Sequence, residues 1–421
     1  MNNLRELHLQ LNSLTIFRNL LKSPVIIKFE KLLSVCGDLY DLNHRVSASC
    51  DSSDAAKLQT CAVKTYAEFV SELYHSGSNL SDYIYNFVID DENFYIKAKA
   101  KGTAPNDVIE KTLEKELFIL QGISLIKPSE IKSRINYDGF LPDWNTSEHD
   151  FLASYLKRIE NISKYGFGIF SKHHVFTILN DKIIPVKYPD AQLLDSLARY
   201  EREREIVVKN TLALLSGNKA SNVLLYGDAG TGKSSTVKAI ANQYKDEGLR
   251  LIEVKKHQLY SLPEIMEQLS ENPLKFIIFI DDLSFTENDD NFTALKAVLE
   301  GSVTAISKNI VIYATSNRRR LVKELFSSRA GEDEIHINDT LQETTSLAAR
   351  FGLTIVFEKP DKDVYRAIVE QLATAYGIQI NEQLFIKAEA FAIRSSGRSP
   401  RAAKQFIEQF YSHCSHPTID V

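Results

Sequence analysis

The sequence predicts an α/β fold with a five-stranded parallel sheet, on three observations. Apolar, β-branched runs at Asn222–Tyr226, Leu249–Val254, Phe276–Ile280, Ile310–Ala314 and Leu353–Phe357 read as strands. They are apolar throughout rather than alternating, the pattern of strands covered on both faces. Helical patterns at Ser234–Tyr244, Pro263–Leu269 and Asn291–Leu299 separate them, as crossover connections require.

The flanking elements follow in chain order. Residues 1–165 read as a mostly helical N-terminal domain. Leu4, Leu7, Leu11, Leu14 and Leu21 form one apolar stripe at helical spacing. Ser47–Asp54 is small and polar and reads as a loop. Asn93–Ile96 reads as a short strand. Thr103–Asp107 leads into a charged helix to about Gln121, and Pro142-Asp143-Trp144 marks a break. Residues 166–190 form a β-hairpin linker, with Val175–Leu179 and Ile183–Val186 flanking Asn180-Asp181-Lys182. Tyr188-Pro189-Asp190 suits a helix entrance. Residues 191–359 make the α/β domain. Residues 360–421 hold three helices, Asp361–Tyr376, Asn381–Arg394 and Pro400–Tyr411, with Gly377 after the first.

Composition bounds the possibilities. The chain has 421 residues, enough for two or three domains at about 150 each. It is 44% apolar and 25% charged, which excludes a disordered chain, a collagen-like fibre or a disulfide scaffold. Lys+Arg 50 against Asp+Glu 55 gives a net charge of −5, so nucleic acid is not expected as a partner. Cys36, Cys50, Cys61 and Cys414 show no C-x-x-C spacing and read as free thiols of a reducing compartment. Charges interrupt the N-terminus too soon for a secretory signal, and no apolar run reaches 18 residues. A cytoplasmic protein without a membrane span is expected.

One motif carries chemistry. Gly227-Asp228-Ala229-Gly230-Thr231-Gly232-Lys233-Ser234 fits G-x-x-x-x-G-K-[ST], between a strand and a helix. Glycines let the backbone turn tightly and aim N–H groups at phosphate oxygens. Lys233 adds a point charge for the β- and γ-phosphates, and the Ser234 hydroxyl suits Mg²⁺. The next helix directs its positive end at the same anion. The candidate contacts are Gly227, Asp228, Ala229, Gly230, Thr231, Gly232, Lys233, Ser234 and Ser235.

Phe276–Ile280 then ends in Asp281-Asp282. Carboxylates at the end of a buried strand need a partner, because burying charge is costly, and Mg²⁺ supplies one. Asp281 would hold the metal and Asp282 would polarise an attacking water. Asn317, just beyond Ile310–Ala314, falls where open α/β sheets bind ligands and would orient that water. The triplet Arg318-Arg319-Arg320 follows and reads as a solvated helix start.

These stretches resemble the AAA+ ATPase superfamily over roughly Leu193–Tyr411. They look closer still to an uncharacterised bacterial family of predicted AAA+ ATPases. Asn222–Asp228, Asp281–Phe285, Ala294–Lys296, Tyr313–Arg319, Ala349–Gly352 and Gly397–Arg401 carry the likeness. The resemblance implies an α/β P-loop (AAA+) core, a C-terminal helical lid, and ATP and Mg²⁺ as ligands. It implies that Arg350 is an arginine finger reaching a neighbouring subunit, hence a homo-oligomer. It implies that Arg401, with Arg398 a competitor, senses the γ-phosphate. It places Leu197–Ile206 near the adenine. Two features depart from the common pattern. Most members carry Asp-Glu where this chain has Asp281-Asp282, which makes slow turnover plausible. Lys255–Tyr260 leaves little room for a pore loop. The expected activity is ATP hydrolysis that remodels or loads an unidentified protein partner held by the N-terminal domain. The alternatives are a slow nucleotide-gated assembly switch and a DNA-associated loader.

Overall fold

The computed structural model describes residues 4–45, 52–285, 290–300, 308–317, 349–395 and 397–415. The chain divides into two compact units, Met1–Lys172 and His173–Val421.

The first unit is helical: α1 (Leu4–Asn12), α2 (Pro24–Arg45), α3 (Ser52–Ser76), α4 (Leu80–Asp90), α5 (Phe94–Ala100), α6 (Asp107–Ser124), α7 (Pro128–Ile135), α8 (Phe151–Glu160), and the one-turn α9 (Ile162–Tyr165) and α10 (Ile169–Lys172). The leucine stripe is a core face, with Leu4, Leu7, Leu11 and Leu14 buried and Leu21 packed beside them. Asn79, Asn93, Asn106 and Asp150 cap the helices that follow them, each accepting from the N–H three residues on. Such caps contribute about 1 kcal/mol apiece. The buried Glu116 of α6 ties the chain after α1 to the core, accepting from the Thr15 hydroxyl at 2.5 Å and the Phe17 N–H at 3.2 Å.

Two expectations for this unit are corrected. Asn93–Ile96 is not a strand. The Asn93 carboxamide accepts from the Ile96 N–H at 2.9 Å and opens α5. Within Ser47–Asp54, residues 52–54 already belong to α3, and residues 47–51 lie outside the described set. Cys36 and Cys61 are free thiols, and burial pushes the Cys36 thiol up to about 12. Cys50 and the Cys414 side chain lie outside the described set.

The second unit contains β1 (Val175–Leu179), β2 (Lys182–Pro185), α11 (Glu201–Leu215), β3 (Val223–Gly227), α12 (Lys233–Gln243), β4 (Leu249–Val254), α13 (Leu262–Ser270), β5 (Lys275–Ile280), α14 (Asp290–Glu300), β6 (Ile310–Ser316), β7 (Leu353–Phe357), α15 (Lys362–Ala375), α16 (Glu382–Arg394) and α17 (Pro400–Ser415). One sheet has the order β2-β1-β4-β5-β6-β3-β7. All pairs are parallel except the β1–β2 hairpin. The five strands read from the sequence occupy β4-β5-β6-β3-β7, but the sheet has seven strands. The hairpin at 166–190 is therefore no linker. Its turn residues Asn180 and Asp181 adopt positive φ, as a tight two-residue hairpin requires. β1 then docks in register, Val175–Thr177 beside Leu251–Glu253.

No helix starts at Pro189. The Asp190 carboxylate accepts from the Gln192 N–H at 3.1 Å, and the Asn242 amide donates to the Asp190 and Gln192 carbonyls at 2.6 and 2.8 Å. Those side-chain bonds hold the segment non-helical until a 3₁₀ turn at Leu194–Ser196. Lys256–Ser261 is a 3₁₀ turn running directly into α13, without an inserted loop. Ala198 packs with Tyr365, Ile368, Leu384, Phe406 and Ile407 in the core of the α15–α17 bundle. Among the described residues no helix is long and apolar enough to cross a membrane.

Candidate functional site: the phosphate loop and its cavity

β3 ends at Gly227, which faces Phe357 in β7. Its φ is 137°, and a Cβ there would lie 2.1 Å from the Phe357 carbonyl oxygen. Only glycine fits such a turn. Gly232 caps α12 in the left-handed region, so the N-terminal N–H groups of α12 face the loop. The Thr231 hydroxyl donates to the Asp228 carbonyl at 2.9 Å and braces the turn.

Lys233 lies inside this loop and is 5% exposed. Its ammonium donates to the Gly227 and Asp228 carbonyls at 2.8 and 2.7 Å and to Asn317 Oδ1 at 3.0 Å. None of these acceptors is charged. Burial depresses its pKa, opposed by the charges of Asp228, Asp281 and Asp282, while Arg401 lowers it further.

The carboxylates stand at the end of β5. Both Asp281 and Asp282 are exposed, which corrects the expectation of charge buried with the strand. Asp281 Oδ1 accepts from the Ser234 hydroxyl at 2.6 Å and the Thr315 hydroxyl at 2.5 Å. Asp282 has a left-handed backbone, φ 52°. Its N–H donates to Thr315 Oγ1 at 2.9 Å, and its carboxylate accepts from the Asn317 amide at 2.8 Å. Asn317 thus bridges Lys233 and Asp282.

These groups open on a cavity of about 400 Å³. Ala229, Gly230 and Gly232–Ser235 form one wall, and Asp281, Asp282, Thr315 and Asn317 another. Gln192, Ser196, Leu197, Ala198, Leu372, Pro400, Arg401 and Lys404 complete its lining. The Arg401 N–H donates to the Gly230 carbonyl at 3.2 Å, so α17 begins against the loop.

The structure therefore brings Lys233, Ser234, Ser235, Asp281, Asp282, Asn317 and Arg401 together. Gly227, Asp228 and Thr231 support the loop from behind. Arg398 does not line the cavity. It pairs with Glu389, with Nη2 2.5 Å from Oε1. Arg350, three residues before β7, does not line it either. Of the segment Leu197–Ile206, only Leu197 and Ala198 reach it. Arg318-Arg319-Arg320 lies outside the described residues. Sequence reasoning missed Thr315, Gln192, Leu372 and Lys404. Thr315 carried a signal, a polar residue ending an otherwise apolar strand. The other three carried none, because long-range packing brings them in.

A glycine-bounded phosphate loop between a parallel strand and a helix, with carboxylates ending another strand of the sheet, defines a nucleotide-binding fold of the AAA+ ATPase type. The chain belongs to the family described as "Protein of unknown function (DUF815)", whose profile matches residues 171–414. Among curated proteins it is similar to AAA-ATPase At2g18193 of Arabidopsis thaliana, 26% identical over 164 residues. That match covers 35% of this chain and 31% of the relative, so it spans about a third of each. Among solved structures it is similar to the Thermotoga maritima RuvB Holliday junction branch migration motor, at 15% identity and a TM-score of 0.36, over 53% of this chain and 65% of that one. It is also similar to the FIGL-1 AAA domain in complex with ADP, at 16% identity and a TM-score of 0.37, over 53% and 74%.

Proposed function

We propose that the second unit binds Mg²⁺–ATP and hydrolyses it to ADP and phosphate. The observation that carries this reading is Lys233: a buried ammonium with only neutral hydrogen-bond acceptors, at the mouth of a polar cavity. The carboxylates of Asp228, Asp281 and Asp282 offset part of the cost of burying that charge, and a polyphosphate would supply a counter-charge hydrogen-bonded to it directly. Loop N–H groups and the start of α12 serve the same anion.

Ser234 and Asp281 offer hard oxygen donors 2.6 Å apart, a donor set that fits Mg²⁺. When bound there, the metal supplies charge neutralisation to the phosphates. Asp282 is the base toward the attacking water. Asn317 positions Asp282 and, through its other atom, contacts Lys233. Arg401 faces the γ-phosphate from the bundle, which acts as a lid. Arg350 completes the site of a second copy, so the active form is a homo-oligomer, and residues 1–165 hold a protein partner for remodelling or loading. The shorter carboxylate of Asp282 favours one second reading, a slow switch in which ATP sets the assembly state.

The test is Lys233→Ala. Calorimetry should show ATP affinity lost, and unchanged affinity would overturn the reading. Turnover with and without cell extract separates remodeller from switch.

A further inference from the structure

We propose that this chain self-associates through a knob-and-groove contact, in which Phe140 of one copy enters the apolar groove between α15 and α16 of a second copy. The inference goes beyond the nucleotide reading above and does not depend on it.

Phe140 lies in the stretch between α7 and α8 and is 87% exposed. Leaving so large an apolar side chain in water forgoes the gain of burying it. The backbone around it is nonetheless held on both sides. The Gln59 amide donates to the Asn136 carbonyl and, at 3.2 Å, to the Ile135 carbonyl. The Lys132 ammonium donates to the Leu141 carbonyl at 2.7 Å. The Tyr66 and Tyr74 hydroxyls donate to the Pro142 and Asp143 carbonyls at 2.7 and 2.6 Å. An aromatic side chain on a backbone already ordered costs little further entropy on binding, and such aromatics carry much of the energy of interfaces.

The groove is mostly apolar. Tyr365 and Val369 of α15 and Phe385, Ile386 and Ile393 of α16 line a cavity of about 310 Å³. Ile386 and Ile393 stand one heptad apart on one face of α16 and are 62% and 73% exposed. A cavity of about 150 Å³ already takes a benzene ring, so this groove has room for a benzyl side chain.

Charge selects the occupant. Both carboxylates of the groove are matched by an arginine, Glu382 by Arg366 at 2.7 Å and Glu389 by Arg398 at 2.5 Å. Arg398 holds the Glu389 pKa below the usual carboxylate range, with exposed Lys362 the smallest contributor. Lys362 also lines the groove and has no ion pair among the described residues, which leaves the rim a surplus positive charge. The loop has the opposite surplus. Asp143 pairs with Lys132 at 2.7 Å, whereas Asp138, exposed two residues before Phe140, has no ion pair among the described residues. A phenylalanine beside a surplus carboxylate therefore complements an apolar groove beside a surplus ammonium. Knob and groove are different surfaces of one chain, so the contact is heterologous, and each docked copy still offers a knob or a groove to a further neighbour.

The experiment is sedimentation velocity on the full chain without nucleotide, across a series of protein concentrations. The parental chain should form assemblies that grow beyond two copies as concentration rises. Phe140→Ser and Ile386→Asp alter exposed side chains, so each should keep the parental melting curve. Each should weaken self-association about thirtyfold or more, the scale of an interface hot spot. Mixing the two should give a two-chain species and nothing larger, because Phe140→Ser supplies only the groove and Ile386→Asp only the knob. Asp138→Lys and Lys362→Glu should each weaken association about two- to fivefold, the scale of an exposed ion pair, and the double variant should recover it. A parental chain that stays single at every concentration would overturn the proposal and point to the chain's own groove or a foreign protein as the occupant. Self-association that Phe140→Ser leaves at parental strength, or a mixture that stays single, would overturn it as well, and either result leaves the nucleotide reading standing.

Discussion

Thr315→Val tests the carboxylate pair without touching either carboxylate. Valine matches the shape of threonine and removes only the hydroxyl. That hydroxyl is buried, donates to Asp281 at 2.5 Å and accepts from the Asp282 N–H at 2.9 Å. Losing a hydrogen bond to a charged group costs about 1.5–3 kcal/mol. The loss is moderated here. Asp281 keeps the Ser234 hydroxyl at 2.6 Å, and the Asp282 N–H retains Asp281 Oδ1 at 3.1 Å, so neither group is orphaned. The expected destabilisation is therefore about 1–2 kcal/mol, the low end for such a bond. In a unit of this size each kcal/mol shifts Tm by about 2–4 °C, which gives about 2–8 °C. The effect on turnover should be larger. Asp282 sits at φ 52°, a conformation that persists only while its surroundings hold it. Without the Thr315 contact the carboxylate wanders from its place beside Asn317, and hydrolysis should fall by about tenfold or more. Scanning fluorimetry, following the transition that ATP shifts, and a phosphate-release assay give the two readings. Thr315→Ser keeps the hydroxyl and should retain most of both. A Thr315→Val chain with parental Tm and parental turnover would refute the reasoning.

Asp281→Asn should weaken Mg²⁺-dependent ATP binding, whereas Asp282→Asn should bind ATP normally and hydrolyse about 10²-fold more slowly; calorimetry and turnover on the two variants check the separation. Arg350→Ala should keep ATP affinity and lose turnover, and mixing it with Lys233→Ala should restore some activity, because each supplies what the other lacks. Activity that does not rise with protein concentration, together with a monomeric ATP-bound state by light scattering, would count against that pairing. Burial holds His174 below its ordinary value of 6.5, with Lys245 and Arg250 adding to the depression and the Asn242 bond opposing it. The unfolded chain then takes up the proton first, so this contribution to stability is present above pH 6.5 and lost as the pH falls. His174→Gln should accordingly flatten the decline of Tm between neutrality and about pH 5, as measured by melts across that range.

Local sequence signals located the parts that depend on local physics. The runs Leu249–Val254 and Leu353–Phe357 are β4 and β7 to the residue, because continuous β-branched and apolar segments bounded by polar residues have one stable use. The Gly227–Ser234 motif was legible because its glycines, lysine and serine fall within eight consecutive residues. Asp281 and Asn317 were legible from their places at strand ends. Where two local signals competed, the sequence was ambiguous. Asn93 preceded a β-prone triplet but formed a helix cap, and Pro189 suited a helix start that side-chain bonds from Asn242 prevent.

Tertiary structure alone decided the rest. The hairpin at β1–β2 extends the sheet because Val175–Thr177 finds β4, a pairing across more than seventy residues that no local pattern encodes. Thr315 reaches Asp281, 34 residues away, only because β5 and β6 lie side by side. Arg401 faces the cavity and Arg398 turns to Glu389, although the two stand on one short segment. Gln192 meets the same cavity because Asn242, fifty residues on, holds its carbonyl. Neighbours along the chain settled most of the strands and helices and placed the Gly227–Ser234 motif between β3 and α12, since those features follow from local pattern. Which side chains converge on one cavity was decided by strand order and helix packing, since those contacts form only once distant segments share a core.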